Sequence, residues 1–290
     1  KRVLVAGATG YLGQFLVKEL TKRNFDVRVL IRKETQKDLF IDIDDFFIGG
    51  ITEPKSLRGI CKNIDWVFTS VGITRQKDNL TYMDVDYQGN AYLLNEAKQS
   101  GVDSFLYVSA IGGDKLRHLK IFEAKERFVD ELKKSELNYT IMRPNGFFSD
   151  IRDFLDMAKN GKVYLFGRGD FKLNPIHGED LAKVCVDKIS SDENEITVGG
   201  PDMLSQNELA TLALNAWGKK PGIIIHLPDW IRKFTIWSLR TFTSSKTYGP
   251  FEFFLTLMTF DNKAEQFGTH HLNDFFNDEV ERKIKTLNVK

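Results

Sequence analysis

A chain of 290 residues that is 42% hydrophobic and 28% charged can bury one sizeable core, which argues against disorder. With 41 basic residues against 40 acidic ones the net charge is +1, so no chain-wide field exists to draw nucleic acid or anionic lipid, and any basic patch must be local. Cys61 and Cys185 lie in separate segments without a CxxC or Cys/His cluster, which argues against a disulfide framework or a metal site.

From the N-terminus, Lys1 and Arg2 open straight into an apolar run with no signal-peptide pattern, and a cytoplasmic protein is the expectation. Short β-branched runs then alternate with segments of helical period, the order of βαβ units on a parallel sheet. The predicted strands are 3–6, 27–31, 46–48, 66–71, 105–109, 140–143 and 196–198, about seven for a doubly wound α/β Rossmann sheet. Leu12, Leu16 and Leu20 recur every fourth residue and put one apolar stripe on the first helix. After Pro144 the pattern loosens into Gly/Phe-rich loops. The reading is therefore a nucleotide-binding core over 1–150, a smaller substrate lobe over 151–174 and 201–290, and a return to the core over 175–200. The longest nearly apolar run, 253–260, is far short of the roughly 20 residues that cross a bilayer as a helix.

The first strand meets its helix through Gly7, Gly10 and Gly13, a GxxGxxG turn in the strand-to-helix context that makes such a motif informative. Gly7 can turn sharply out of the strand, Gly10 lets backbone N–H groups approach a pyrophosphate, and Gly13 lets the helix pack closely. The anion would rest on the helix N-terminus, where free N–H groups and the helix dipole favour phosphate. At the end of the second strand, where an NAD-binding chain would place Asp or Glu for the ribose 2′-hydroxyl, stand Arg32 and Lys33. Cations there suit the 2′-phosphate of NADP(H).

These residues resemble the short-chain dehydrogenase/reductase superfamily, in its atypical branch of NmrA-like, isoflavone-reductase-like and divinyl-chlorophyllide-reductase-like proteins. Over about the first 200 residues the resemblance rests on GATGYLG at 7–13, Arg32, the TSVG strand end at 69–72 and DYQGN at 86–90. It continues with YVSA at 107–110, Lys125, RPNGFF at 143–148 and NPIHGEDLA at 174–182. The stretch from Phe122 to the Arg-Pro turn, with Phe166 and Gly167, looks most like the divinyl-reductase group. The resemblance implies NADP(H) contacts from Gly7, Thr9, Gly10, Tyr11, Leu12, Gly13, Arg32, Lys33, Gly50, Ile51, Ser70, Val71 and Gly72. It adds Ser109, Lys125, Pro144, Asn145 and Phe147 around the nicotinamide, with Lys125 and Ser109 as candidate catalytic groups. Two departures stand out. Ile121 occupies the position of the YxxxK tyrosine, so the usual phenolic proton donor is missing. After the third strand an acidic residue often accepts from the adenine amino group, whereas Gly49, Gly50 and Ile51 stand here.

Glu123, Glu126 and Arg127 around Lys125 read as a solvated helix face. His177 has the near-neutral pKa of an acid/base group, yet its loop position favours a structural role. Between 219 and 246 stand six cations against Asp229 alone, with Trp230, Phe234 and Trp237 on one helical face. Such a stripe either closes a substrate lobe or, through 229–260, meets a membrane surface or a protein partner. Three functions remain open: an NADPH-dependent reductase of a small hydrophobic acceptor, a non-catalytic NADP(H)-sensing regulator or assembly factor, and an epimerase or dehydratase. Nucleic acid is not an expected partner.

Overall fold

The apolar runs of the first two thirds become strands of one sheet in a computed structural model that describes residues 1–74, 76 and 79–288. From the N-terminus the strands are β1 (Arg2–Ala6), β2 (Asp26–Ile31), β3 (Asp45–Ile48), β4 (Trp66–Thr69), β5 (Ser104–Val108) and β6 (Asn138–Pro144). They continue as β7 (Lys162–Phe166), β8 (Lys172–Leu173), β9 (Glu195–Gly199), β10 (Leu204–Ser205), β11 (Ile223–Leu227) and β12 (Glu265–Gln266). The helices are α1 (Tyr11–Lys22), α2 (Asn90–Ser100), α3 (Lys120–Lys133), α4 (Arg152–Ala158), α5 (Gly178–Lys188), α6 (Gln206–Ala216), α7 (Asp229–Phe242), α8 (Ser245–Leu257) and α9 (Leu272–Asn288).

The main sheet runs β12-β9-β6-β5-β4-β1-β2-β3, and every neighbouring pair in it is parallel. It has eight strands rather than about seven. The extra one, β12, is a two-residue strand from the C-terminal segment whose polar Glu265 and Gln266 carry no strand signal. β5 is buried along its whole length, as a parallel strand covered on both faces must be. The strand order reverses between β1 and β4, which opens a crevice beyond their carboxyl ends where open α/β sheets hold ligands.

The leucine stripe of α1 faces the sheet as its spacing predicts, and Leu12, Leu16 and Leu20 share one core with Leu181 and Cys185 of α5. On the opposite face, Leu94 and Ala97 of α2 and Phe128 and Leu132 of α3 pack over Leu4, Val67 and Phe105. A separate core joins Phe154 and Leu155 of α4, Leu209 and Ala213 of α6, and Phe276 of α9. Beside it lie two small sheets, β7 with β11 in parallel and β8 with β10 antiparallel. Not all of 201–290 stays in that lobe: β12 joins the main sheet, and Phe253 of α8 meets Phe122 of α3 with ring centroids 5.3 Å apart.

Candidate active site

The glycine turn is held by sterics that tolerate no side chain. Gly7 has φ +79°, and a Cβ there would lie 2.9 Å from the backbone carbon of Ser70. At Gly13 a Cβ would come within 2.1 Å of the Gly7 carbonyl oxygen, so α1 packs directly on the turn that precedes it. The Gly10 N–H donates to Gly7 O at 3.0 Å, and α1 then begins with no capping side chain and no acidic residue in its first turn. Its leading N–H groups, those of Tyr11, Leu12 and Gly13, are left to a ligand or water. Thr9 lies within the turn, and its carbonyl accepts from Gln14 Nε2.

Beyond β2, Arg32 and Lys33 are both exposed, with their backbone N–H groups donating to Gln36 Oε1 at 2.8 and 3.1 Å. Gly50 donates its N–H to Ser56 Oγ at 2.9 Å. Ile51 closes against Gly89, whose missing Cβ would be 3.0 Å from Ile51 Cγ1.

The end of β4 is fixed from the far side of the crevice. Residues Met83–Gly89 form a wide π turn that leads into α2, a form that recurs at functional sites. It points Asp86 and Asn90 back at the strand end. Asn90 Nδ2 donates to Val71 O at 3.2 Å and Asn90 Oδ1 accepts from Thr69 Oγ1 at 2.7 Å, while Asp86 Oδ2 accepts the Ile73 N–H at 3.1 Å. The other carboxylate oxygen, Asp86 Oδ1, lies 2.8 Å from Lys125 Nζ. Gly72 sits on this pair, for a Cβ there would be 2.7 Å from both charged atoms. Lys125 is therefore no solvated lysine, since its side chain is only 12% exposed and Nζ lies 5.9 Å from the ring centroid of buried Tyr107. Burial alone would push its pKa down, but the Asp86 carboxylate outweighs that and holds it above the usual lysine range. It stays a cation.

Ser109, just beyond β5, is also buried, but its hydroxyl serves another pair. It donates to Glu126 Oε1 at 3.3 Å and accepts from Arg143 Nη1 at 3.4 Å. Arg143 meets Glu126 in a bidentate fork at 2.6 and 2.9 Å. The solvated face expected around Lys125 thus fails at Glu126, which is 1% exposed because Arg143 draws it in. Pro144 ends β6. Asn145 is tied to the C-terminal segment, donating to Asn174 Oδ1 at 2.6 Å and to the Asn262 carbonyl. Phe147 meets Tyr11 edge-on at 5.6 Å, and Tyr11 Oη accepts the Gly178 N–H at 3.1 Å.

His177 caps α5, its Nδ1 accepting the Glu179 N–H at 3.3 Å, and it stacks on His270 at 4.2 Å. Tyr82 is buried, donates to Thr74 O at 2.7 Å, and has its pKa pushed up to about 12 by burial and then by Asp86. A cavity of about 930 Å³ runs along the outer side of α1 past Phe148, His177 and Phe275, and neither Asp86 nor Lys125 lines it. The aromatic stripe of α7 does not close a core; Trp237 is more than half exposed.

The structure thus joins Gly7, Ser70, Gly72 and Lys125 around one crevice and turns Ser109 and Asn145 to other partners. Sequence reasoning missed Asp86 as the lysine's counter-ion. Its only signal was its place in the DYQGN segment.

Comparison with known proteins shows the family and the fold. Residues 7–192 match a family model described as NAD(P)H-binding. The chloroplastic divinyl chlorophyllide a 8-vinyl-reductase of Arabidopsis thaliana is 29% identical over 261 residues, covering 79% of this chain and 61% of that protein. The chain thus spans about three fifths of that relative. A photosystem II assembly factor of Guillardia theta is 26% identical over 227 residues, covering 76% of this chain and 72% of its own. In fold, the NADPH-dependent quinone oxidoreductase of Escherichia coli, solved with NADPH, superposes with a TM-score of 0.71 at 14% identity, over 97% of this chain and 99% of that one. Among the described residues no helix is long and apolar enough to cross a membrane.

Proposed function

Because the chain belongs to the NAD(P)H-binding family, we propose that it holds NADPH across the β1–β4 crevice and is a reductase of a hydrophobic small-molecule acceptor. The observation that carries this reading is a buried lysine cation placed at the strand ends, one glycine away from the nucleotide turn. The uncapped first turn of α1, with no acidic residue to compete, fits a diphosphate, and exposed Arg32 fits the 2′-phosphate. When bound, NADPH supplies a hydride.

The chain's own residues then do the rest. Thr9 to Gly13 and Ser70 to Gly72 bind and orient the dinucleotide, and Gly50 and Ile51 border its adenine end. Pro144 and Phe147 form the far wall, with Ser109 as a support that holds Arg143 and Glu126 and Asn145 as a tie to Asn174 and Asn262. Lys125 donates hydrogen bonds to ribose hydroxyls and places a fixed positive charge near the acceptor. With its pKa held above the usual lysine range it polarises the acceptor rather than titrating near neutrality. With Ile121 in the tyrosine's place, the proton comes through water rather than from a phenol.

In calorimetry, Arg32→Ala should weaken NADPH by roughly ten- to a hundredfold, the loss of a charge-assisted contact of about 1.5–3 kcal/mol, and leave NADH almost unchanged. Equal weakening of both coenzymes would refute the assignment of Arg32. Loss of NADPH absorbance over a panel of enones, quinones, imines and porphyrin-like acceptors should identify a turned-over class, and wild-type protein that binds NADPH but oxidises none of it sinks the reductase. A second reading, an NADP(H)-binding assembly factor without turnover, draws on the missing tyrosine and on Lys125 being held by Asp86. Full cellular function of a Lys125→Ala protein would favour it.

A further inference from the structure

One helix lies with its apolar side turned out. At about 100° per residue, Trp230, Phe234 and Trp237 of α7 fall within one narrow sector, while Arg232 and Leu239 lie opposite it. Arg232 is the buried residue of this helix and pairs with Asp229 at 2.6 Å. The three aromatics are 66%, 57% and 57% exposed, and Phe242 at the end of the helix is 76% exposed. Lys233, with its side chain 72% exposed, and Arg240 stand on one border of this sector. A contiguous exposed stripe of large aromatics costs solvation and marks a surface that something covers.

We infer that this face of α7 rests on the surface of an anionic lipid bilayer. Tryptophan beside phenylalanine is the composition of a membrane interface, where the ring is sheltered and the indole N–H remains wet. Charge points the same way. Residues 219–246 hold six cations and one carboxylate; Arg232 and Lys233 share Asp229, and Arg240 meets Glu252 just outside the segment, which leaves Lys233 partly unneutralised beside the rings. Long side chains such as Lys233 can keep their charge at the headgroups while the rings enter. The same cations disfavour a second copy of this chain as the occupant, since a symmetric pairing would set the Lys233 and Arg240 borders of two copies against each other. The face is a convex helix, not a groove that a peptide would fill.

The test uses the full chain with sedimenting vesicles, either of phosphatidylcholine alone or with one third phosphatidylglycerol. Binding to the mixed vesicles should exceed that to phosphatidylcholine by roughly tenfold or more and weaken as salt rises. Trp230→Ser/Phe234→Ser/Trp237→Ser should lose at least about tenfold of that binding while binding NADPH with wild-type affinity, which shows that it folds. Wild-type protein that stays in the supernatant with anionic vesicles overturns the inference, as does binding that the triple variant retains. So does a lipid-free dimer in analytical ultracentrifugation that the triple variant dissolves.

Discussion

Lys125 and Asp86 are each intelligible only through the other. Two charges in a site this enclosed are tolerable because each neutralises the other, and removal of one partner strands the second. Lys125→Met should therefore lower unfolding stability by about 3–5 kcal/mol in urea titrations, and Asp86→Asn/Lys125→Met should recover most of it. Equal losses in the single and double variants would show that the pair contributes nothing as a pair. Lys125 itself was singled out by its motif match alone. Its counter-ion was not, because 39 positions separate the two and only the π turn brings them together. Glu126 misled for a similar reason: among Glu123 and Arg127 it reads as solvated, and only Arg143, a distant residue in sequence, makes its burial affordable.

The βαβ units were written plainly in the chain. Fully buried parallel strands need continuous apolar runs, and such runs lay at every observed position from β1 to β6 to within two residues at each end. The turn between β1 and α1 was equally plain, because only glycine meets its steric demands. Gly13→Ala should destabilise the protein by about 1–3 kcal/mol through the clash with Gly7 O and should also abolish coenzyme binding by pushing α1 off the turn. An alanine variant with wild-type melting and NADPH affinity would disprove that account. The smaller sheets left almost no trace. β7 and β11 pair in parallel across 61 positions, from Lys162 to Ile223, and neither strand shows which partner it will find. In α7 the period was legible but its direction was left open: periodicity reports that a stripe exists and is silent on whether it faces in or out.

The molecule as a whole is closed by its last third. Asp180, at the start of α5, takes N–H groups from Thr269 and His270 at 3.0 Å each and lies 2.9 Å from His270 Nδ1. Burial pushes this carboxyl up, yet the His270 and Thr269 donors outweigh it and hold its pKa below the usual range. A depressed carboxyl stabilises the fold above its unfolded pKa of about 3.9, and that contribution is lost as pH falls through the lower folded value. Hydrogen exchange should thus show the Thr269 and His270 amides losing protection in acid before β4 and β5 do. Asp180→Asn should expose them already at neutral pH, and protection independent of pH in the wild type would contradict this.

β12 carries a further consequence, one of timing. The sheet begins at the second residue of the chain, but the strand that covers β9 is 66 positions beyond the end of β9, after the whole intervening lobe. During folding, the β9 edge of the nucleotide-binding sheet therefore stays bare until residues 265–266 dock on it, so the last pairing of the sheet waits on the lobe between them.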